Sequence, residues 1–228
     1  MGAYAAVVLA GGAARRMGGR DKPTLPVGGV PMRERVLAEV ADASPRILVG
    51  AGPAPAGVRL TREVPPGGGP VAAIAAGLAM VDADVPAVAL LAGDLPLLTR
   101  SAVGELLRRL DDSPVDELLC GLDDPPADVL LRQLDDSPAD VCDPVDGVCF
   151  VDGAGRRQTL CGVWRPVALR TALHRLAAGR GGGLAGASLR ELLAGLVVRE
   201  VTWSGGGPPP WFDCDTERDV RRAEEWLR

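Results

Sequence analysis

The chain has 228 residues, 47% of them hydrophobic but only 3% aromatic, with a formal net charge of -5 at pH 7. That length suits one large domain whose core is built from Ala, Val and Leu, and a net negative charge without a basic stripe argues against a nucleic-acid partner. No apolar run approaches the ~20 residues that span a bilayer, the start MGAYAAVVLAGG lacks the positive segment of an export signal, and Ala6 breaks the myristoylation pattern, so a cytoplasmic location away from membranes is expected.

Tyr4–Ala10 (YAAVVLA) reads as a strand buried on both faces. It runs into LAGGAARRMGGRDK, Leu9 to Lys22, a glycine- and arginine-rich loop that ends on the only lysine of a chain whose Lys+Arg total is 25. Arg46–Gly50 (RILVG) predicts a second strand, and Val58–Glu63 (VRLTRE) alternates as a third would. Pro70–Val81 follows a Gly-Pro break and is long enough for a helix, with Pro70 in its first turn. Val85–Ala92 (VPAVALLA) predicts another buried strand, which feeds GDLPLLT. Strands alternating with helices predict an α/β fold of three layers, a mostly parallel sheet covered on both faces. Ligands bind such sheets at the carboxyl ends of the strands, where the glycine loop and Asp94 both fall.

From Leu106 to Val141 a twelve-residue unit occurs three times: LLRRLDDSPVDE, LLCGLDDPPADV and LLRQLDDSPADV. Its Asp-Asp-Ser/Pro-Pro steps are start signals for brief helices. Repeated carboxylates invite a cation or a partner, but the ligand spacing and glycine of a calcium loop are missing. The competing reading is a tandem duplication forming a surface insertion at about 106–141 in a single domain, since a unit this short cannot bury a core. Beyond it, Val148–Asp152, a GAGRR turn and Gln158–Arg165 predict a hairpin. His174 sits in a helical pattern as a surface residue, a helix is expected over Ser188–Ala194 and a strand over Val197–Trp203, and Thr216 with Asp219 forms a capping-box signature for the last helix. Five cysteines without a CxxC pair are expected to remain reduced and to hold no zinc.

The loop glycines Gly11, Gly12, Gly18 and Gly19 permit close backbone approach to an anion, and Arg15, Arg16 and Lys22 add positive charge. It is not a P-loop, because Lys22 is followed by Pro23, and its glycine spacing is not that of a dinucleotide fingerprint. Asp94 is a single carboxylate leaving an apolar strand; it reads either as a ligand of hydrated Mg²⁺ or as a helix cap ahead of Pro96. Asp213 and Asp215 in FDCDT offer further carboxylates, on one side of the chain if the segment is extended.

Together LAGGAARRMGGRDKPTLPVGGVPM, AGDLP and DCDTERDV resemble the nucleotidyltransferases that attach a nucleoside monophosphate to a phosphorylated acceptor, and among them most resemble the molybdenum cofactor guanylyltransferases. The resemblance covers nearly the whole chain apart from the repeats. It implies a three-layer, Rossmann-like nucleotidyltransferase fold, GTP as donor, Mg²⁺ as cofactor, the phosphate of molybdopterin as nucleophile, and transient contact with proteins that accept the cofactor. By residue it implies backbone contacts from Leu9, Ala10, Gly11 and Gly12, Lys22 on the donor phosphates, Arg16 beside Lys22 and Asp94 among the catalytic groups, and Asp94 with Asp213 or Asp215 at the metal. Glu63 is kept from the Glu-Asp pair that reads the base, whereas Val64 stands for the aspartate and Gly50 for an asparagine after the second strand. Gly12 favours GTP, because cytidylyl relatives tend to read LAAG. The repeats are expected to lengthen the wall of the acceptor site. A phosphate nucleophile is already ionised near neutral pH, so no general base is required. Competing readings are a cytidylyl or phospholactate guanylyl relative with another acceptor, and a non-catalytic nucleotide-binding protein that uses the repeats as its interaction surface.

Overall fold

The computed structural model describes residues 3–11, 22–112 and 145–228. Gly12, Arg15, Arg16, Gly18 and Gly19, and the repeats beyond Asp112, lie outside the described residues.

Strands β1 (Ala5–Ala10), β4 (Arg46–Gly50), β5 (Val58–Thr61), β6 (Val88–Ala92), β7 (Gly147–Val151), β8 (Arg157–Trp164) and β9 (Val198–Thr202) form one sheet in the order β5-β4-β1-β6-β8-β7-β9. A small separate hairpin pairs β2 (Pro26–Val27) with β3 (Val30–Pro31). In the large sheet β8 runs antiparallel to its neighbours β6 and β7, and the remaining pairings are parallel. The expected hairpin is therefore β7–β8, and the sheet is mostly parallel.

Alternation along the strands divides the core in two. Ala6, Val8 and Ala10 of β1 face one layer with Leu48, Ala89 and Leu91, under α1 (Met32–Glu39) and α3 (Arg100–Asp111). Ala5, Val7 and Leu9 face the other with Ile47, Val49, Val88 and Leu90, under α2 (Pro70–Leu78), α4 (Pro166–Gly179) and α5 (Leu189–Leu193). Small side chains let these layers close tightly: a Cβ on Gly77 of α2 would lie 2.4 Å from Val7 Cγ1. A third, small cluster joins Val27, Met32, Leu97, Cys214 and Ala223, and so docks α6 (Glu217–Trp226) and the β2–β3 hairpin over the loop after β6.

Several boundaries shift for physical reasons. β6 begins at Val88, not Val85, because Pro86 has no N–H to give the ladder of a central strand. α3 replaces what the repeat register assigns to the first repeat: Leu106, Leu107 and Leu110 are its buried face, and Thr99 caps it by accepting from Ala102 N. α2, with Pro70 in its first turn, the capping box of Thr216 and exposed His174 on α4 follow expectation, and Ser188 adds a capping box with Glu191 to the helix expected there.

The stem of the insertion sits at the amino edge of the sheet. Arg165, directly after Trp164, donates from Nη2 to Leu110 O (3.1 Å) and from Nε to Val145 O (3.0 Å). Trp164 pairs with Val88 and Gly147, the first residues of β6 and β7. Arg199 adds bonds to the carbonyls of Arg109 (2.5 Å) and Asp112 (3.2 Å). The described ends of the insertion thus leave from the edge opposite Asp94, while the expectation that the repeats lengthen the acceptor wall falls on residues outside those described. Among the described residues, no helix is long and apolar enough to cross a membrane.

Candidate active site

At the carboxyl edge the chain leaves β1 at Gly11 and β6 at Gly93, and the two exits are stitched together by Gly93 N donating to Leu9 O at 2.8 Å. β1 lies between β4 and β6, so this is where the connections diverge to either side, the crevice such sheets use for ligands. A Cβ on Gly93 would be 3.0 Å from Leu9 O, and one on Gly50 2.9 Å from the Ala10 carbonyl, so glycine serves close backbone approach at both exits. A side chain at position 50, such as an asparagine, would need the backbone to move.

FDCDT reaches this crevice from the far end of the chain. Cys214 N donates to Asp94 O at 3.4 Å, and the Cys214 side chain is fully buried in the third cluster. Burial pushes its thiol up to about 12, so it is an inert peg at neutral pH. With Cys214 turned inward, Asp213 and Asp215 are both at the surface. The segment is irregular rather than a strand, and the two carboxylates differ in what they meet.

Lys22 opens a short 3-10 turn, Lys22–Thr24, seated by the buried Pro23. Its Nζ lies 2.5 Å from Asp94 Oδ2 and donates to Asp215 Oδ1 at 2.7 Å. The Lys22 and Asp94 side chains are 19% and 20% exposed and Asp215 50%, so the cluster sits in the crevice mouth and opens to solvent on the Asp215 side. Burial alone would lower the lysine pKa; the hydrogen bonds to Asp215 and Asp94 outweigh it, and the net shift is upward. Although Asp213 reaches the surface, its carboxyl is shifted up, first by partial desolvation at the crevice and then by the neighbouring Asp215 charge, with Lys22 opposing. The capping alternative for Asp94 is overturned: its carboxylate goes to Lys22, and α3 has Thr99 as its cap.

The donor set fits a hard divalent cation. Asp94 and Asp215 carboxylates converge on one cationic centre, and Mg²⁺ characteristically takes one or two carboxylates, with waters and substrate phosphates completing its octahedron. Among the described residues, no group of three or more His, Cys, Asp or Glu is arranged for a metal. The fit therefore rests on two protein carboxylates plus oxygens brought by a substrate.

The base-reading candidates are less alike. Glu63, just beyond β5, accepts Gly67 N at 3.0 Å on Oε1 and so braces its own glycine-rich turn, while Val64 is 91% exposed. Leu9 and Ala10 are buried inside β1, so only their backbone can face a ligand, as expected of a loop-entry strand. Arg33 of α1 is a residue that sequence reasoning misses. It is the one buried charged side chain among the described residues, and it holds the loop after β4 through Ala51 O (3.1 Å) and Pro53 O (3.4 Å). Nothing in PMRERV marks it. Cys214 is the second omission, and its signal is present: an apolar thiol between two aspartates.

The chain is 27% identical over 230 residues to a molybdenum cofactor guanylyltransferase of Bradyrhizobium sp. (strain ORS 278), covering 96% of this chain and 90% of that one. A molybdenum cofactor guanylyltransferase of Nitrobacter hamburgensis is 38% identical over 109 residues, a match that takes in 44% of this chain and 52%, about half, of that protein's length. In fold it is similar to molybdopterin-guanine dinucleotide biosynthesis protein A from Archaeoglobus fulgidus, with TM-score 0.62, 17% identity and 97% of both chains covered. The description "MobA-like NTP transferase domain" matches residues 6–197, well over half of the chain, and this protein belongs to that nucleotidyltransferase family.

Proposed function

We propose that the protein transfers GMP from GTP to the phosphate of a molybdopterin-type acceptor, with release of pyrophosphate and with Mg²⁺ as cofactor. The observation that carries this reading is the meeting of Lys22, Asp94 and Asp215 in the crevice at the ends of β1 and β6. The names of the relatives support guanylyl transfer and a molybdenum-cofactor acceptor.

Asp94 and Asp215 would hold the metal, which when bound neutralises phosphate charge and polarises the phosphoryl oxygens. The remaining work falls to the chain. The backbone from Leu9 to Gly11 lines the crevice and positions the nucleotide, and the close backbone packing at Gly50 and Gly93 shapes its floor. Gly12 keeps its backbone contact to the nucleotide, and Arg16 its place beside Lys22 among the catalytic groups. Lys22 meets the donor phosphates as a mobile point charge and stabilises charge that develops on departing pyrophosphate. Asp213 makes no ion pair with Lys22 and flanks the site as a third carboxylate. Glu63 bears on the base by fixing the 63–67 turn. Attack comes from an ionised phosphate oxygen, so the chain needs to orient the acceptor rather than deprotonate it. The acceptor side is the carboxyl edge of the β7–β8 hairpin, where Gln158 Nε2 donates to Asp152 Oδ2 at 3.2 Å. In this reading the protein works in the cytoplasm and hands its product to cofactor-accepting proteins by transient contact.

The test is pyrophosphate release with Mg²⁺, molybdopterin and each of GTP, CTP, ATP and UTP in turn. Release with GTP alone is expected. Release with CTP in place of GTP would reassign the donor, and nucleotide binding without release would favour a binding protein.

A further inference from the structure

The geometry points to a second role for Lys22: its ammonium is the internal cation of the metal site, holding Asp94 and Asp215 together until a metal–nucleotide complex displaces it onto the phosphates. This rests on the reading of Asp94 and Asp215 as the metal-holding pair. It adds an order of events, in which the metal enters with the nucleotide rather than before it.

Both carboxylate oxygens that converge in the crevice are already directed at one positive centre, 2.5 and 2.7 Å away. A divalent cation bound by the same two oxygens would have to stand where the Nζ now stands. Two cations cannot share that point, because like charges a few ångströms apart in a partly buried site repel strongly. Leaving the ammonium out without a substitute is also unfavourable, since it removes the positive charge between two like-charged carboxylates. The site thus has two filled states, lysine-in and metal-in, and a triphosphate favours the second by giving the displaced ammonium new anionic partners. The residue type suits the exchange. Lysine is a point charge on four flexible methylenes and can swing without unmaking a fixed planar geometry, whereas a guanidinium fork would lock onto a carboxylate. The 50% exposure of Asp215 leaves a path by which one cation can leave as the other enters.

The test uses full-length protein, free of nucleotide, with Mn²⁺ as the probe and loss of the free aquo-ion resonance signal as the readout. Lys22→Met and Lys22→Ala are expected to bind Mn²⁺ about tenfold more tightly than wild type. Adding Asp94→Asn to either should remove the gain. With GTP present the sign reverses, and both single variants hold Mn²⁺–GTP more weakly than wild type.

A wild-type measurement covers the case in which these variants fold poorly. Lys22 is the sole lysine, so acylation at low reagent followed by peptide mapping reports on one ε-amine. Saturating Mn²⁺ alone should speed its acylation, and Mn²⁺–GTP should slow it again. Unchanged Mn²⁺ affinity in both variants, or acylation that Mn²⁺ leaves untouched, would overturn the exchange whatever GTP does. Tighter Mn²⁺ binding in the variants with no loss of Mn²⁺–GTP affinity would keep the exchange and remove Lys22 from the donor phosphates, a failure of the proposed function alone.

Discussion

The two edges of the sheet use positive charge in opposite ways. At the amino edge, Arg165, Arg170 and Arg199 each place a guanidinium on a pair of backbone carbonyls, those of Leu110 and Val145, Leu78 and Val81, and Arg109 and Asp112. Those acceptors cannot leave, so the bonds are permanent braces for helix ends and for the stem of the insertion. At the carboxyl edge, Lys22 meets Asp94 and Asp215, carboxylates that another cation can take over. The fork geometry of arginine suits fixed acceptors and the point charge of lysine suits exchangeable ones. In a chain that otherwise relies on arginine, the residue type marks which edge is built to hold and which to turn over. Arg33 shows that the rule follows the partner rather than the place, for it sits at the carboxyl edge yet braces the carbonyls of Ala51 and Pro53.

Substitutions that separate turnover from stability break this contrast most directly. Asp94→Ala should lower turnover by about 10²–10³-fold, the scale seen when one preorganised electrostatic partner is lost, with the melting temperature nearly unchanged. Equal turnover in a steady-state pyrophosphate assay would take Asp94 out of the site. Lys22→Arg keeps the charge and changes only its shape, and a fall of about 10²-fold is expected. Full activity in that variant would mean that charge alone matters and that lysine at this point is accidental.

Arg165→Ala should do the reverse. It strips two carbonyls of their partner, at a cost of about 1–3 kcal/mol. That corresponds to a melting shift of about 2–4 °C for each kcal/mol lost, with turnover held within about twofold. Arg165→Lys should recover only part of the loss, since one ammonium does not reproduce the fork. The smallest expected effect is at Thr216, which caps α6 by accepting Asp219 N at 3.3 Å and lies next to Asp215. Thr216→Ala should cost about 1 kcal/mol in denaturant unfolding, and a turnover loss larger than the stability loss explains would show that the cap also orients Asp215.

The legible parts of the fold are those whose pattern is local. β1, β4 and β6 are buried on both faces, so they stand out as short apolar runs, and the capping box at Thr216 closes between residues only three apart. α3 is obscured although Thr99 and the spacing Ala102, Val103, Leu106, Leu107, Leu110 announce an amphipathic helix, because the repeat register cuts it at Leu106. In the site, the residue types are legible and their pairing is not. Lys22 and Asp215 are 193 positions apart, and no periodicity reports a contact at that range. Asp213 and Asp215 are indistinguishable in sequence; Asp215 is singled out only once Cys214 is buried against Leu97 and Met32. Glu63 illustrates the converse, since its bond to Gly67 N spans four residues and is the kind of turn closure that EVPPG permits.

The central claim is that the carboxyl edge moves a nucleotidyl group, and the most direct measurement follows the two ends of the donor. GTP labelled at the α-phosphate and GTP labelled at the γ-phosphate are each incubated with Mg²⁺, molybdopterin and the protein. The account predicts that the α-label passes to the acceptor while the γ-label leaves in pyrophosphate. Release of the γ-label as inorganic phosphate, with the α-label remaining in a free nucleotide, would contradict it.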